Sequence, residues 1–289
     1  MGFQVVSEDE ALQLPQEVQR LRLCDFDYRA IRRAFELFGI SLIDLEAIAV
    51  AVFDHGEAPP QVSDRQFRFD YLERRIRAEN RLSAFAYRAE GVPAEMTRLK
   101  AVVESAQGVD APLMVMDSAP AAVLGATYDP QVAGVGRKLI ANVGNFHTLA
   151  FRLGPGGIEG LFEHHTGLVD VLKLERLLRG LADGSLTHAE VFNDHGHGAL
   201  VLSQEGLPLG EGAFDVAVTG PRRGMFQTPA ANDGLRPYLA VPFGDMMLTG
   251  CIGLLAALAD KMPELAEPIR VSLSGSAHGS PPWELSSWQ

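Results

Sequence analysis

Every position from Ala47 to Phe53 is apolar, and the run ends in Asp54-His55-Gly56. A stretch that is apolar on both faces predicts a parallel strand buried on both sides. Ligands of parallel sheets gather at the carboxyl ends of strands, which makes Asp54-His55-Gly56 a site candidate. Leu113 to Met116 predicts a second short buried strand, ending at Asp117. In the segment that follows, Pro120 suits the first turn of a helix. The small side chains after it let that helix lie close against another backbone or a ligand.

From Lys138 the pattern changes. Lys138 to Val143, Thr148 to Leu153 and Ile158 to Phe162 predict three strands, joined by Gly144-Asn145-Phe146-His147 and Gly154-Pro155-Gly156-Gly157. Short glycine-rich connections force antiparallel neighbours. Leu168 to Leu181 reads as a helix, and Thr187 to Phe192 as a shorter one before the turn Asn193-Asp194-His195-Gly196-His197-Gly198. Phe214 to Thr219 reads as a buried strand ending in Gly220-Pro221-Arg222-Arg223, and Tyr238 to Val241 as the last strand. Gly244-Asp245 then opens a long apolar helix through Leu258. Three antiparallel strands, helix, strand, helix or loop, strand, helix is the order of a ribonuclease-H-like half-fold.

Upstream, Val18 to Cys24 alternates apolar and charged residues, as a half-exposed strand does. Asp27 caps a helix that carries Tyr28, Ile31, Phe35 and Phe38 on one face, and Gly39 is its stop. Asp64 to Arg98 reads as helical, with Asp64, Arg65 and Arg68 in surface ion pairs worth little. The expected organisation is an α/β chain with a partial first domain over 1–111, a second domain over 112–271, and a loose tail over 272–289.

The 289 residues suffice for two compact domains, and 47% hydrophobic against 21% charged composition is that of a globular chain. A net charge of −12 disfavours nucleic acid and anionic membrane surfaces as partners. No apolar stretch reaches the roughly 18 residues of a membrane helix, and no basic-then-apolar leader is present, so the expected location is cytoplasmic. Cys24 and Cys251 are too few for an iron–sulfur cluster or a cysteine-rich zinc site.

Four landmarks in order resemble the actin, sugar-kinase and heat-shock-chaperone superfamily of ATP-binding proteins. Asp117 to Gly125 resembles the first connecting helix, Asn142 to Thr148 the second phosphate hairpin, Val216 to Arg223 the adenosine strand, and Gly244 to Gly253 the second connecting helix. The phrases Asn142–Leu153, Phe162–Gly167 and Gly244–Gly253 are more closely similar to an uncharacterised prokaryotic family within that superfamily, whose members carry the label putative pyruvate-formate-lyase-activating enzyme. The resemblance implies a ribonuclease-H-like, actin-like ATPase fold whose second domain is complete. The first domain lacks the N-terminal meander with its Asp-x-Gly-x-Gly-Thr hairpin, so the chain reads as N-terminally short.

The resemblance implies ATP with Mg2+, or another small phosphorylated ligand, and phosphoryl transfer or hydrolysis with Asp117 as the base for an attacking water. Asn142, Gly144, Asn145, His147 and Thr148 would cradle phosphate, with Gly144 permitting close backbone approach and a positive φ. Gly220, Pro221, Arg222 and Arg223 would border the ligand, as would Gly244 and Asp245. The neutral Asn142, where the superfamily has Asp, is a poorer partner for Mg2+. A degenerate nucleotide sensor or scaffold is therefore an alternative.

The histidines open a third possibility. Imidazole is a common ligand of transition metals. Asp54, His55, His164, His165, Asp194, His195 and His197 lie at predicted element ends and are the candidate ligands of a metal-dependent hydrolase or transferase. Glu163 stands beside His164 in sequence, and His147 also lies at a predicted element end.

Overall fold

A computed structural model describes residues 4–21, 23–106, 108–227 and 234–274. It is a mixed α/β structure with two sheets. The first holds β1 (Ile48–Val52), β2 (Ala86–Arg88) and β3 (Leu113–Asp117) in the order β1-β3-β2. β1 and β3 are parallel, with Val52 opposite Asp117. That register brings Asp54, His55 and Asp117 to one edge of the sheet.

The second sheet has the order β7-β6-β5-β4-β8-β9. β4 (Lys138–Val143), β5 (His147–Gly154) and β6 (Gly157–His165) form the antiparallel meander. β7 (Gly198–Val201) adds to its outer edge, a strand too short for the sequence pattern to announce. β8 (Val216–Thr219) runs parallel to β4, and β9 (Pro237–Leu239) parallel to β8. The carboxyl ends of β4, β6 and β8 therefore share one side.

Among the described residues ten α-helices surround the sheets: α1 (Glu8–Gln13), α2 (Tyr28–Leu37), α3 (Asp64–Ala78), α4 (Thr97–Ser105), α5 (Ser118–Ala126), α6 (Pro130–Ala133), α7 (Val171–Asp183), α8 (His188–Asn193), α9 (Thr249–Lys261) and α10 (Pro263–Ser274). α5 and α9 cross at backbone contact. A Cβ on Gly125 would collide with the backbone of Thr249, and one on Gly253 with the Ala121 carbonyl. The small-residue run thus serves helix-to-helix packing. Among the described residues no helix is long and apolar enough to cross a membrane.

Several expectations change. The described residues of Val18 to Cys24 form no strand, and Leu21 and Leu23 remain 63% and 86% exposed. α2 forms on its Asp27 cap, yet Phe38 on its apolar face is 84% exposed. The expected helix from Asp64 to Arg98 stops at Ala78, because the buried run Leu82 to Tyr87 turns to pair β2 with β3. β3, expected in the second domain, is the middle strand of the first sheet. The helix expected from Gly244 begins at Thr249, after two short 3-10 turns. Residues 272–274 of the expected tail are helical, and the remainder of that tail lies outside the described residues.

Candidate metal centre

His55 follows β1, His147 opens β5, and His197 precedes β7. Their side chains meet between the two sheets. His55 Nε2 is 3.4 Å from His147 Nε2 and 3.3 Å from His197 Nε2. One ligand nitrogen from each of the three lies within 4.8 Å of the other two. Nitrogens held tetrahedrally at about 2.0–2.1 Å from a zinc-sized ion stand about 3.3–3.4 Å apart. The two separations from His55 Nε2 match that spacing, and the three ligand nitrogens together lie within 4.8 Å of one another.

Tautomers support the same reading. His147 Nδ1 is 3.0 Å from Glu163 Oε1. An ionised carboxylate only accepts, so Nδ1 carries the proton and Nε2 presents its lone pair. As hydrogen bonds, the two contacts of His55 Nε2 would have to share a single proton. Burial pushes His55 down from its ordinary pKa, and pushes His197 down to about 3. Burial thus favours the neutral form of both rings, in which a lone pair is available to a metal.

Beneath the histidines lies Arg68 of α3, which is 0% exposed. Its Nε donates to Glu163 Oε2 at 3.1 Å, and its Nη1 lies 2.5 Å from Asp117 Oδ2 and 3.0 Å from the Asp54 carbonyl. Burial alone would raise the pKa of Glu163, but Arg68, helped by His147, holds it well below the carboxylate range. Asp117 is driven upward by burial, against the pull of Arg68. Phe53 stacks on His147 with ring centroids 4.3 Å apart and lies under the Arg68 guanidinium. Arg68 is thus the central buried cation of the site, and its expected place in surface pairs is overturned. The α3 pattern hid it because a buried ion pair leaves no periodic signature.

Arg65, also expected at the surface, braces the turn that carries His197. Its Nη1 donates to the carbonyls of Phe192 at 2.9 Å and Gly196 at 2.5 Å. His197 N donates to the Glu163 carbonyl at 2.9 Å. Gly196 is pressed so closely to Val191 and His164 that a Cβ there would collide with both. His195 has a left-handed φ of 64° and turns its carbonyl to accept from His165 Nδ1 at 2.8 Å.

Of the expected metal ligands, His55 and His197 converge, joined by His147 from the expected phosphate turn. His165 stands beside them, its ring 4.6 Å from that of His197. The others are spent elsewhere. Asp54 accepts from the amides of Gly56 and Leu99, each at 2.8 Å. His164 sits between the carbonyls of Asp194 and His165. Asp194 pairs with Lys173 at 2.6 Å, and His195 contributes its backbone. Asp117, the expected base, is 1% exposed, paired with Arg68, and caps α5 through the Ala119 amide.

The expected phosphate residues divide. Asn142 lies opposite Thr219 in the β4–β8 register, and Arg222 N donates to the Val143 carbonyl at 3.0 Å. The turns Gly144 to His147 and Gly220 to Arg223 are therefore neighbours. Gly144 N donates to the His147 carbonyl at 3.0 Å, and Gly144 takes no positive φ. Asn145 and Phe146 are exposed at the tip, as are Pro221 and Arg222 beside it. Thr148 is buried and bonds Thr166 at 2.9 Å, and Arg223 Nη1 donates to the Ala240 carbonyl. Asp245, after Gly244 at φ 83°, caps the Met247 amide.

A mixed α/β fold with a three-histidine cluster between its sheets is the class of protein these features define. Residues 1–225 match the family described as "Putative pyruvate format-lyase activating enzyme (DUF1786)", and the chain belongs to that family. No curated protein and no solved structure matches it.

Proposed function

We propose that the protein is a metal-dependent hydrolase or transferase. A divalent ion of the zinc class would be held by His55, His147 and His197. The observation that carries this reading is the pair of Nε2 separations at 3.3 and 3.4 Å. Three protein ligands leave a fourth tetrahedral position for water or substrate. A bound ion of this class supplies Lewis acidity and a nucleophilic water near neutral pH. The protein's own part is positional. Glu163 holds the Nδ1 proton of His147, Arg68 holds Glu163, and Arg65 holds the His197 turn.

We read the fold as actin-like. The strand order β6-β5-β4-β8-β9, a meander followed by two parallel strands, supports a ribonuclease-H-like second half. The glycine-mediated crossing of α5 and α9 supports two connecting helices. The adjacent turns at the ends of β4 and β8 favour a second reading, a nucleotide or phosphorylated ligand bound there in a cytoplasmic protein. Asp117, enclosed by Arg68, does not suit the base of an ATPase. The radical activation in the family's description calls for an iron–sulfur cluster, and Cys24 and Cys251 do not fit one.

The test is metal analysis of untagged protein after zinc reconstitution and desalting. The expected result is one equivalent per chain, lost in His55→Ala and in His197→Ala. A wild-type chain that retains no transition metal would sink the proposal. A thermal shift with ATP or ADP examines the second reading, since a ligand of the folded state raises the midpoint.

A further inference from the structure

The donor set has a consequence in charge. Three neutral imidazoles neutralise none of a divalent ion's charge. The carboxylates around the site are committed elsewhere. Glu163 is shared by Arg68 and His147, Asp117 is held by Arg68 and the Ala119 amide, and Asp54 by two amides. Among the described residues, none offers an anionic oxygen to the cluster. The balancing charge would come from the open position, as hydroxide or as an anionic ligand.

Arg222 lies on the turn next to the one that carries His147. His147, a member of the cluster, ends the turn whose Gly144 amide bonds back to the His147 carbonyl. The Val143 carbonyl, at the start of the same turn, accepts from Arg222 N. The Arg222 side chain is exposed, and no ion pair or hydrogen bond engages its guanidinium among the described residues. Its neighbours Arg223 and Arg236 are committed, to the Ala240 carbonyl and to Asp215 respectively. Thr219, three residues before Arg222, has a buried hydroxyl with no hydrogen-bond partner. An exposed guanidinium on the turn next to that of His147 suits a group with several anionic oxygens, because the planar fork binds two of them at once.

We propose that the open position takes an oxygen of a phosphate group, with Arg222 binding further oxygens of the same group. The ligand class is a phosphate monoester or inorganic phosphate. This rests on the metal reading above. It differs from the nucleotide reading in placing the phosphate on the histidine-held ion.

The experiment uses the full untagged chain loaded with cobalt(II), its metal content measured first. Phosphorus NMR relaxation of inorganic phosphate and of phenyl phosphate is recorded against the same protein loaded with zinc, and carbon NMR relaxation of labelled acetate serves as the carboxylate arm. Both phosphates should show saturable paramagnetic relaxation, with acetate binding at least about tenfold more weakly. Arg222→Ala should weaken phosphate binding by about tenfold, the order of one charge-assisted contact, and Arg222→Lys should recover part of it. Cobalt content should be unchanged in both variants. Cobalt-loaded protein that leaves phosphate relaxation unaltered overturns the inference and leaves the metal reading standing. Acetate binding as tightly as phosphate, or wild-type affinity in both Arg222 variants, overturns it too. A chain that takes up no cobalt overturns the metal reading first.

Discussion

Glu163 Oε1 lies 3.0 Å from His147 Nδ1, while the other oxygen of the same carboxylate accepts from Arg68 at 3.1 Å. One buried side chain thus fixes the tautomer of a histidine and compensates a buried guanidinium. Partners of this kind are worth about 10–100-fold in metal affinity. Glu163→Gln should lower zinc affinity by that order, as measured by competition with a chromophoric chelator. Unchanged affinity would mean that His147 is oriented by packing on Phe53 alone.

Removing the carboxylate altogether should act on the fold. Glu163→Ala leaves Arg68 with Asp117 as its remaining charged partner in a site with no access to water. Breaking a buried pair costs about 3–5 kcal/mol, so the urea midpoint of the metal-free protein should fall markedly. Glu163→Gln, which keeps an acceptor for Arg68, should fall less. Equal losses in the two variants would contradict the role given to Arg68.

The metal-free protein should lose stability in acid through its histidines. His197 titrates near 6.5 when unfolded and is held down to about 3 when folded, chiefly by burial. In that interval the unfolded chain binds more protons, so stability rises with pH. The contribution is complete above about 6.5 and declines as the pH falls toward 3. His197→Gln should flatten this part of the stability profile measured by denaturant titration. A profile equally steep in the variant would place the acid sensitivity elsewhere.

Arg65 reaches two carbonyls of the His197 turn and stacks on Phe192, with its guanidinium carbon 4.4 Å from the ring centroid. Arg65→Ala should cost about 1.5–3 kcal/mol, the range for hydrogen bonds to a charged group. It should also raise amide exchange in residues 193–197. Protection there equal to wild type would show that Gly196 and the His197 amide hold the turn unaided.

The crossing of α5 and α9 should not accept a methyl group. Gly253→Ala would press a Cβ onto the Ala121 carbonyl, and overpacking of this kind typically costs about 1–3 kcal/mol. Gly250→Ala, where a Cβ meets open space, is the control and should leave thermal stability near wild type.

The parts of this structure that rest on local pattern were legible in the sequence. The all-apolar run of β1, the glycine-punctuated meander and the Asp27 cap each carry their own signal within a few residues, and their bounds agree to within one residue except at the end of β6, which runs three residues past Phe162. What depends on partners far along the chain was not legible. The cluster joins His55 to residues 92 and 142 positions away. The histidines could be marked as candidates by their positions at element ends, but which three would meet depends on sheet register. Arg68 was misread for the same reason, since its burial follows from Asp117 and Glu163 arriving from two other strands. β2 and β7 were missed because three- and four-residue strands are made by their neighbours.

His55 belongs to one sheet, and His147 and His197 to the other. An ion held by all three would tie together points 92 and 142 residues apart along the chain. Such a tie acts on the unfolded ensemble as well as on the native state. While it persists, the intervening chain is confined to closed loops, and the entropy gained on unfolding is reduced, more for long loops than for short ones. Loading the site would then slow the separation of the two sheets more than the fraying of either one, and chelation would expose their shared boundary to a protease before the meander itself opened.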